Sequence, residues 1–163
     1  MIEWSVVKIN SKDGGGTRIT FEFVPKSEWE NGSLVLRFQS RDGNPENCWG
    51  KPRSFVFSPS KAAEIVCVLR GMKESLNSGK GFMMCEVETG RQTTVKMAHL
   101  LYPCGYSFSA ATEGRTDKIV IDERQALVLS LSLERFIPII AFGNPDCTPN
   151  PLGFEDGNGG EEW

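Results

Sequence analysis

Apolar and polar residues alternate along much of the first third of the chain. Four segments show this alternation or are rich in β-branched and aromatic residues: WSVVKIN, TRITFEF, SLVLRFQ and SFVF, at residues 4–10, 17–23, 33–39 and 54–57. In TRITFEF, for example, apolar residues at 19, 21 and 23 are separated by polar ones. Such alternation predicts antiparallel strands with one buried face and one polar, basic face.

The spacing then changes to that of a helix. Within SPSKAAEIVCVLRGMKESLNSG (58–79), one helical face collects the apolar residues Ala62, Ile65, Val66, Leu69 and Met72. Ser58 is a favourable N-cap, and Pro59 suits the first helical position. The Asn-Ser-Gly sequence at 77–79 is expected to end the helix.

The second half repeats this order. Four more strands are predicted: FMMCEVE, QTTVKMA, GYSFSAA and KIVID, at residues 82–88, 92–98, 105–111 and 118–122. A long helix follows from about Glu123 to Phe142, with Asp122 as N-cap and Gln125 completing a capping box. Pro138 predicts a kink or break near residues 136–137.

The long helix is apolar on nearly every side, whereas a surface helix has one apolar stripe. We therefore expect it to be buried in the core and against another subunit, which makes the protein a homo-oligomer. The predicted fold class is α+β, with two consecutive four-strand-plus-helix units whose antiparallel sheets pack with two helices. The two halves share no obvious sequence identity.

Charge is distributed unevenly along the 163 residues. The whole chain has 18 basic and 21 acidic residues. After residue 143 there are five acids and no base, so the body carries two more bases than acids. The last 20 residues are also rich in Gly and Pro, a composition typical of disorder. We predict a folded domain at 1–143 and a flexible acidic tail at 144–163.

Catalytic and metal-binding patterns are missing from the sequence. Its five cysteines show no C-x-x-C spacing, and His99 is the single histidine. We therefore expect no enzyme activity, metal or cofactor, and free thiols in a reducing compartment. The residues after Met1 do not resemble a secretory signal, and no wholly apolar segment reaches about 20 residues. A cytoplasmic location without membrane contact is the expectation.

The remaining candidate is a binding surface. Basic and aromatic residues are interleaved on the predicted strands and loops: Lys8, Arg18, Arg37, Trp49, Lys51, Arg53, Arg91, Lys96, Tyr102, Tyr106 and Phe108. Lys and Arg neutralise phosphates, and aromatic rings stack on bases of any identity. This combination indicates a platform for single-stranded nucleic acid. A merely solvated basic face is the alternative for the charges, and a core position is expected for Phe108 and the Phe residues at 21, 23, 55 and 57.

Two segments carry a resemblance to a known family. FVFSPSKAAEIVCVLRG resembles the strand-to-helix passage of Whirly proteins, and DKIVIDERQALVLSLSLERFIPIIAFG resembles their C-terminal strand and long apolar helix. The resemblance implies binding of single-stranded DNA, or of guide RNA as in related kinetoplastid proteins. It also implies tetramers formed through the C-terminal helices. The plant family's Lys-Gly-Asn-Ala-Leu-Gly signature is absent, since the corresponding region is GTRITFEF.

The sequence ends with PLGFEDGNGGEEW, which has four acids and a terminal tryptophan. This ending resembles the tails of bacterial and phage single-stranded DNA-binding proteins, and a plain solubilising tail is the alternative. The resemblance implies that Glu161, Glu162 and Trp163 bind replication or recombination enzymes. We expect a bacterial or phage protein that coats single-stranded DNA in replication, recombination or repair. RNA binding or annealing, or a structural oligomer without nucleic-acid affinity, are the alternatives.

Overall fold

The computed structural model describes residues 6–10, 16–28, 31–41, 49–102 and 104–143. One four-stranded sheet contains β1 (Val6–Asn10), β2 (Thr17–Val24), β3 (Ser33–Ser40) and β4 (Arg53–Phe57). Helix α1 (Pro59–Leu69) and a short 3-10 segment (Leu76–Gly79) lead to the second sheet. That sheet contains β5 (Phe82–Cys85), β6 (Gln92–Leu100), β7 (Gly105–Thr112) and β8 (Arg115–Asp122), and α2 (Glu123–Phe142) follows it. The predicted α+β class with two four-strand-plus-helix units is confirmed.

Every strand pairs antiparallel with its neighbour in sequence, in the orders β1-β2-β3-β4 and β5-β6-β7-β8. In the first sheet, Phe21 lies opposite Leu36, and Leu36 lies opposite Phe55. Because directly opposed residues share a face, this register collects the apolar side chains on one side of each sheet. We call that side the inner face and the other the outer face.

The two inner faces and both helices enclose one hydrophobic core. All five phenylalanines expected there are buried, at 21, 23, 55, 57 and 108. The ring of Phe21 contacts that of Phe108 edge-on at 5.7 Å, and Phe23 stacks on Phe136 at 4.6 Å. These contacts join the first half of the chain to the second, and the buried residues of both halves form one shared cluster.

A buried ionic cluster joins the two sheets where β4 meets the second sheet. Arg53 on β4 is 2% exposed and donates from Nη1 to Asp117 Oδ2 at 2.8 Å. Its Nε lies 3.4 Å from Glu86 Oε2, and Nη1 also donates to the Ala110 carbonyl. The turn between β5 and β6 completes the junction, because Val87 N–H donates to the carbonyl of Ser54 at 2.9 Å.

Helix α1 ends earlier than the sequence predicts. The expected helix runs to about residue 76, whereas α1 stops at Leu69. Gly71 adopts a left-handed φ of 76°, and the N–H groups of Gly71 and Met72 bond to the carbonyls of Val68 and Cys67. This is a Schellman C-cap, which satisfies the last carbonyls and turns the chain away from the helix. Met72, expected on the buried face, is consequently exposed.

Helix α2 begins as predicted, with Asp122 and Gln125 forming the capping box. Of the kink or break predicted near residues 136–137, the break does not occur, since the helix continues through Pro138 to Phe142. Pro138 is exposed, and the helix loses one donor there without ending. The chain before β3 packs closely on this end, where a Cβ on Gly32 would meet the Ile140 carbonyl at 1.8 Å. Only glycine allows that approach.

One stripe of α2 packs on the sheets, and another is exposed. The buried residues are Ala126, Leu129, Ser130, Leu133, Phe136 and Ile140. The exposed apolar residues include Leu127, Val128, Leu131 and Phe142. The helix has the length and mean hydropathy, 1.5, of a membrane span, which inspection of the sequence did not reveal. Core helices share both properties, and a third of this stretch is buried within the fold.

Candidate nucleic-acid interface

The outer face of the first sheet carries polar and basic side chains across neighbouring strands. Arg18 lies opposite Gln39, and Thr20 lies opposite Arg37. Lys8 on β1 takes the register position opposite Thr20, and its side chain lies outside the described residues. The strand alternation predicted from the sequence therefore brings three of the proposed basic residues into neighbouring positions.

Trp49 lies against one end of this face. Gly50 N–H donates to the Ser40 carbonyl at 2.7 Å, and Gln39 Nε2 donates to the Gly50 carbonyl at 3.1 Å. These bonds hold the chain at 49–50 against the end of β3. The guanidinium carbons of Arg18 and Arg41 lie 4.2 and 4.5 Å from the centroid of the Trp49 ring. We call Arg18, Gln39, Arg41 and Trp49 the Trp49 cluster.

The Trp49 cluster concentrates positive charge. Burial, and then the charge of Arg41, lower the pKa of Arg18 from its ordinary value. Arg18 Nη2 donates to the neutral amide oxygen of Gln39 at 2.8 Å. Its Nε is buried without a hydrogen-bond partner among the described residues. Stacking on the tryptophan offsets part of the cost of holding two like charges together.

Arg37 has a different environment on the same face. It forms an ion pair with Glu22, which projects beside it from β2, and its side chain is 34% exposed. The carboxylate neutralises much of the positive charge that Arg37 would offer to a phosphate. Lys51, by contrast, is exposed in the segment between Trp49 and β4. Of these two predicted phosphate contacts, Lys51 is the more available.

An acidic residue borders the outer face at β4. Glu88, in the turn between β5 and β6, accepts from the N–H and the hydroxyl of Ser54 at 2.7 and 2.5 Å. Burial raises the pKa of Glu88, but these bonds and the charge of Arg37 outweigh it and hold that pKa below its usual value. A carboxylate at this position limits the basic surface on the β4 side.

The outer face of the second sheet holds a pair of lysines. Lys96 on β6 lies opposite Ser109, which lies opposite Lys118 on β8, and both lysines are exposed. Two strand spacings separate them, about 10 Å. Arg91 and Tyr102 are exposed at opposite ends of β6, so the fold does not bring them together.

The structure corrects the predicted role of two residues that the sequence placed in contact with nucleic acid. Arg53 is on the inner face of β4, because it lies opposite the core residue Phe38, and its donors are used inside the protein. Tyr106 shares the inner face with Phe108, and its hydroxyl donates to the Leu69 carbonyl at 3.2 Å. Both residues hold the fold together and do not face a ligand on the outer sheet surfaces.

Sequence reasoning missed two basic residues. Lys118 could have been identified, since it alternates with the buried Asp117 and Ile119 in TDKIVID. Arg41 could not, because its position over Trp49 depends on how residues 49–50 return to β3. The acidic tail, with Glu161, Glu162 and Trp163, lies outside the described residues, and its predicted role stays a prediction.

Among the residues that the structure describes, no group of three His, Cys, Asp or Glu side chains could hold a metal ion. His99 is exposed at the end of β6 and contacts Tyr106, at 5.2 Å between rings. The outer face described above presents cations, amides and an aromatic ring.

Comparison with known proteins gives matches at the level of structure. No protein-family model and no curated protein sequence matches the chain. The plant transcriptional regulator PBF-2 matches with a TM-score of 0.56 and 17% identity, covering 83% of this chain and 89% of that one. WHY1 from Arabidopsis thaliana matches with a TM-score of 0.57 and 19% identity, covering 83% and 84%. WHY3 from the same plant matches with a TM-score of 0.54 and 18% identity, covering 83% and 87%.

Proposed function

From the Whirly-like fold that this chain has, we propose that it is a single-stranded DNA-binding protein without catalytic activity and with little sequence preference. The observation that carries the proposal is the Trp49 cluster, where two guanidinium groups and an indole ring meet on the outer face of an antiparallel sheet. Cations paired with aromatic rings on a sheet are how proteins hold single strands without reading their sequence.

The lysines of the second sheet extend the proposed surface. Lys96 and Lys118 are exposed on its outer face, and Lys51 is exposed near the Trp49 cluster. Flexible lysine side chains act as point charges towards phosphates, so they add affinity without specificity. Binding of this kind depends steeply on salt, because each neutralised phosphate releases counterions.

The exposed stripe of α2 supports an oligomer. Leu127, Val128 and Leu131 are each about 60% exposed along one side of the helix. A contiguous apolar surface of this kind marks a protein contact. We propose a homo-oligomer that joins through α2 and presents the outer sheet faces of several subunits to one strand.

The tail completes the proposal. An acidic segment that ends in Glu161, Glu162 and Trp163 can compete weakly with DNA for the basic surface and is released when DNA binds. It would then recruit replication, recombination or repair proteins in a bacterial or phage-infected cytoplasm. Its composition supports this role, through five acids and no base after residue 143.

Fluorescence anisotropy with a labelled oligonucleotide of about 30 nucleotides tests the binding proposal. We expect tight binding to single-stranded DNA at low salt, a steep loss of affinity at high salt, and poor competition by duplex DNA. A matched RNA oligomer that competes better than DNA would favour the alternative, an RNA-binding or annealing protein. Absence of binding at low salt would refute both and leave the structural oligomer.

Deletion of residues 151–163 tests the tail separately. We expect DNA affinity to stay the same or rise, since the deletion removes four acids and no base. Capture of replication or recombination proteins by the full-length chain should be lost in the deletion variant. Loss of DNA binding on deletion would contradict the proposed competition.

A further inference from the structure

The Trp49 cluster is organised differently from an open base-stacking platform. Two guanidinium groups lie over the indole ring, with Arg18 4.2 Å and Arg41 4.5 Å from its centroid. A base stacking on a ring face that one of them occupies would have to displace it. The ring is also only partly exposed, so it does not project towards solvent as a free platform does.

The two guanidinium carbons are neighbours, no more than about 9 Å apart by their distances from one ring. Both lie within 4.5 Å of the same ring centroid, and the nearness of Arg41 is among the causes that lower the pKa of Arg18. Gln39 fixes Arg18 through its amide oxygen and fixes the chain at Gly50 through its amide nitrogen. One side chain thus sets the position of Arg18 relative to Trp49.

We propose that Arg18 and Arg41 together bind a single phosphodiester group of the strand, and that Trp49 is a positioning residue that holds both guanidinium groups over its ring. This inference rests on the proposed single-strand binding. An anion between two guanidinium groups relieves their repulsion and accepts charge-assisted hydrogen bonds from both. Arginine suits this role better than lysine, since its planar fork both stacks on an aromatic ring and binds phosphate in two places.

The salt dependence of affinity tests the sharing of one phosphate. On single strands, each neutralised phosphate contributes about 0.7 to the slope of log affinity against log salt. Arg18→Gln and Arg41→Gln should each reduce the wild-type slope, and the double variant should reduce it by no more than about 0.7 in total. A double variant that loses about twice this amount would show two separate phosphates and overturn the proposal. Unchanged slopes in all three variants would overturn it as well.

Trp49→Leu tests the positioning role, because it removes no charge. If Trp49 holds the two arginines, this variant should lower the salt slope as the arginine variants do. If Trp49 instead stacks on a base, affinity should fall equally at every salt concentration with the slope unchanged, and the proposal fails. Arg41 directly follows the last residue of β3, so Arg41→Gln is the less demanding variant for folding should Arg18→Gln lower stability.

Lys26→Gln is the matched control for the loss of one positive charge. Lys26 is exposed beyond the end of β2 that is far from Arg18, where its N–H contacts the Ile139 carbonyl of α2. The Lys26→Gln variant should keep the wild-type slope of log affinity against log salt. If the wild-type protein itself fails to bind single-stranded DNA at low salt, the proposed function falls together with this inference. Wild-type binding with unaltered slopes in the variants removes the inference alone.

Discussion

Replacing Arg53 by Met separates a structural role from a ligand-binding role at one residue. The sequence places Arg53 among basic residues that could contact DNA, whereas the structure buries it between two carboxylates. Glu86 and Asp117 are each 6% exposed, so the substitution leaves buried negative charge without its main partner. Breaking a buried pair from one side costs about 3–5 kcal/mol of unfolding free energy.

The contacts left to Asp117 and Glu86 determine where in this range the loss of unfolding free energy falls. Asp117 keeps the hydroxyl of Ser40 at 3.1 Å and Arg115 Nε at 3.3 Å, while Glu86 loses its ion-pair partner. We therefore expect a loss near the lower end, about 3 kcal/mol. In a chain of this size, this loss of unfolding free energy corresponds to a fall in melting temperature on the order of 10 °C. Adding Glu86→Met to the variant should recover part of the loss, since it removes the orphaned charge.

Urea unfolding at fixed protein concentration measures the stability, and anisotropy titration at several salt concentrations measures the charge contact with DNA. Arg53→Met should lower stability and leave the salt slope unchanged. Lys51 is exposed and lies two residues away from Arg53. Lys51→Met should lower the salt slope and change the unfolding free energy by no more than about 0.5 kcal/mol. Wild-type stability together with a reduced slope for Arg53→Met would refute the assignment of Arg53 to the junction between the sheets.

Three further perturbations address the oligomer, the capping box and acid stability. Leu127→Glu with Leu131→Glu should reduce the molar mass measured by light scattering while circular dichroism stays unchanged, and an unaltered mass would exclude α2 as the interface. Asp122→Ala should lower the unfolding free energy by about 1 kcal/mol through loss of the N-cap, with Asp122→Asn as the near-neutral control. The pKa of Glu88 is lowered in the folded state, so its bonds to Ser54 stabilise the protein above the usual carboxyl range and are lost as the pH falls through the folded-state value. Glu88→Gln should flatten the acid side of the stability profile, and an unchanged profile would contradict this.

The order of elements could be predicted because the signals in this sequence are local. Alternation, together with runs of β-branched, aromatic and other apolar residues, located the described strands except for their exact ends. The Asp122 capping box fixed the start of α2. The end of α1 was missed because Gly71 can either continue a helix at some cost or leave it through a left-handed C-cap. Packing of the following segment decides between continuing the helix and ending it. The residues near Gly71 in sequence do not determine that packing.

The site was only partly predictable, for a geometric reason. Alternation tells which residues share a face, so Arg18 and Arg37 could be placed together. It does not tell which face of a strand at the sheet junction is buried, and Arg53 sits where polar residues occupy the inner face. The contact between Arg41 and Trp49 depends on residues 49–50 lying against the end of β3. No periodic pattern in the sequence predicts that placement.

The pairing of strands only with their sequence neighbours has a consequence for how the chain folds. Both sheets can form from contacts close in sequence, which favours rapid formation of hairpins. The single core, however, is completed only when rings from the two halves meet, as Phe21 does with Phe108. Neither half should persist as an independent folding unit, and a protein cut between Gly71 and Glu74 should unfold and refold only as a reassembled pair of fragments.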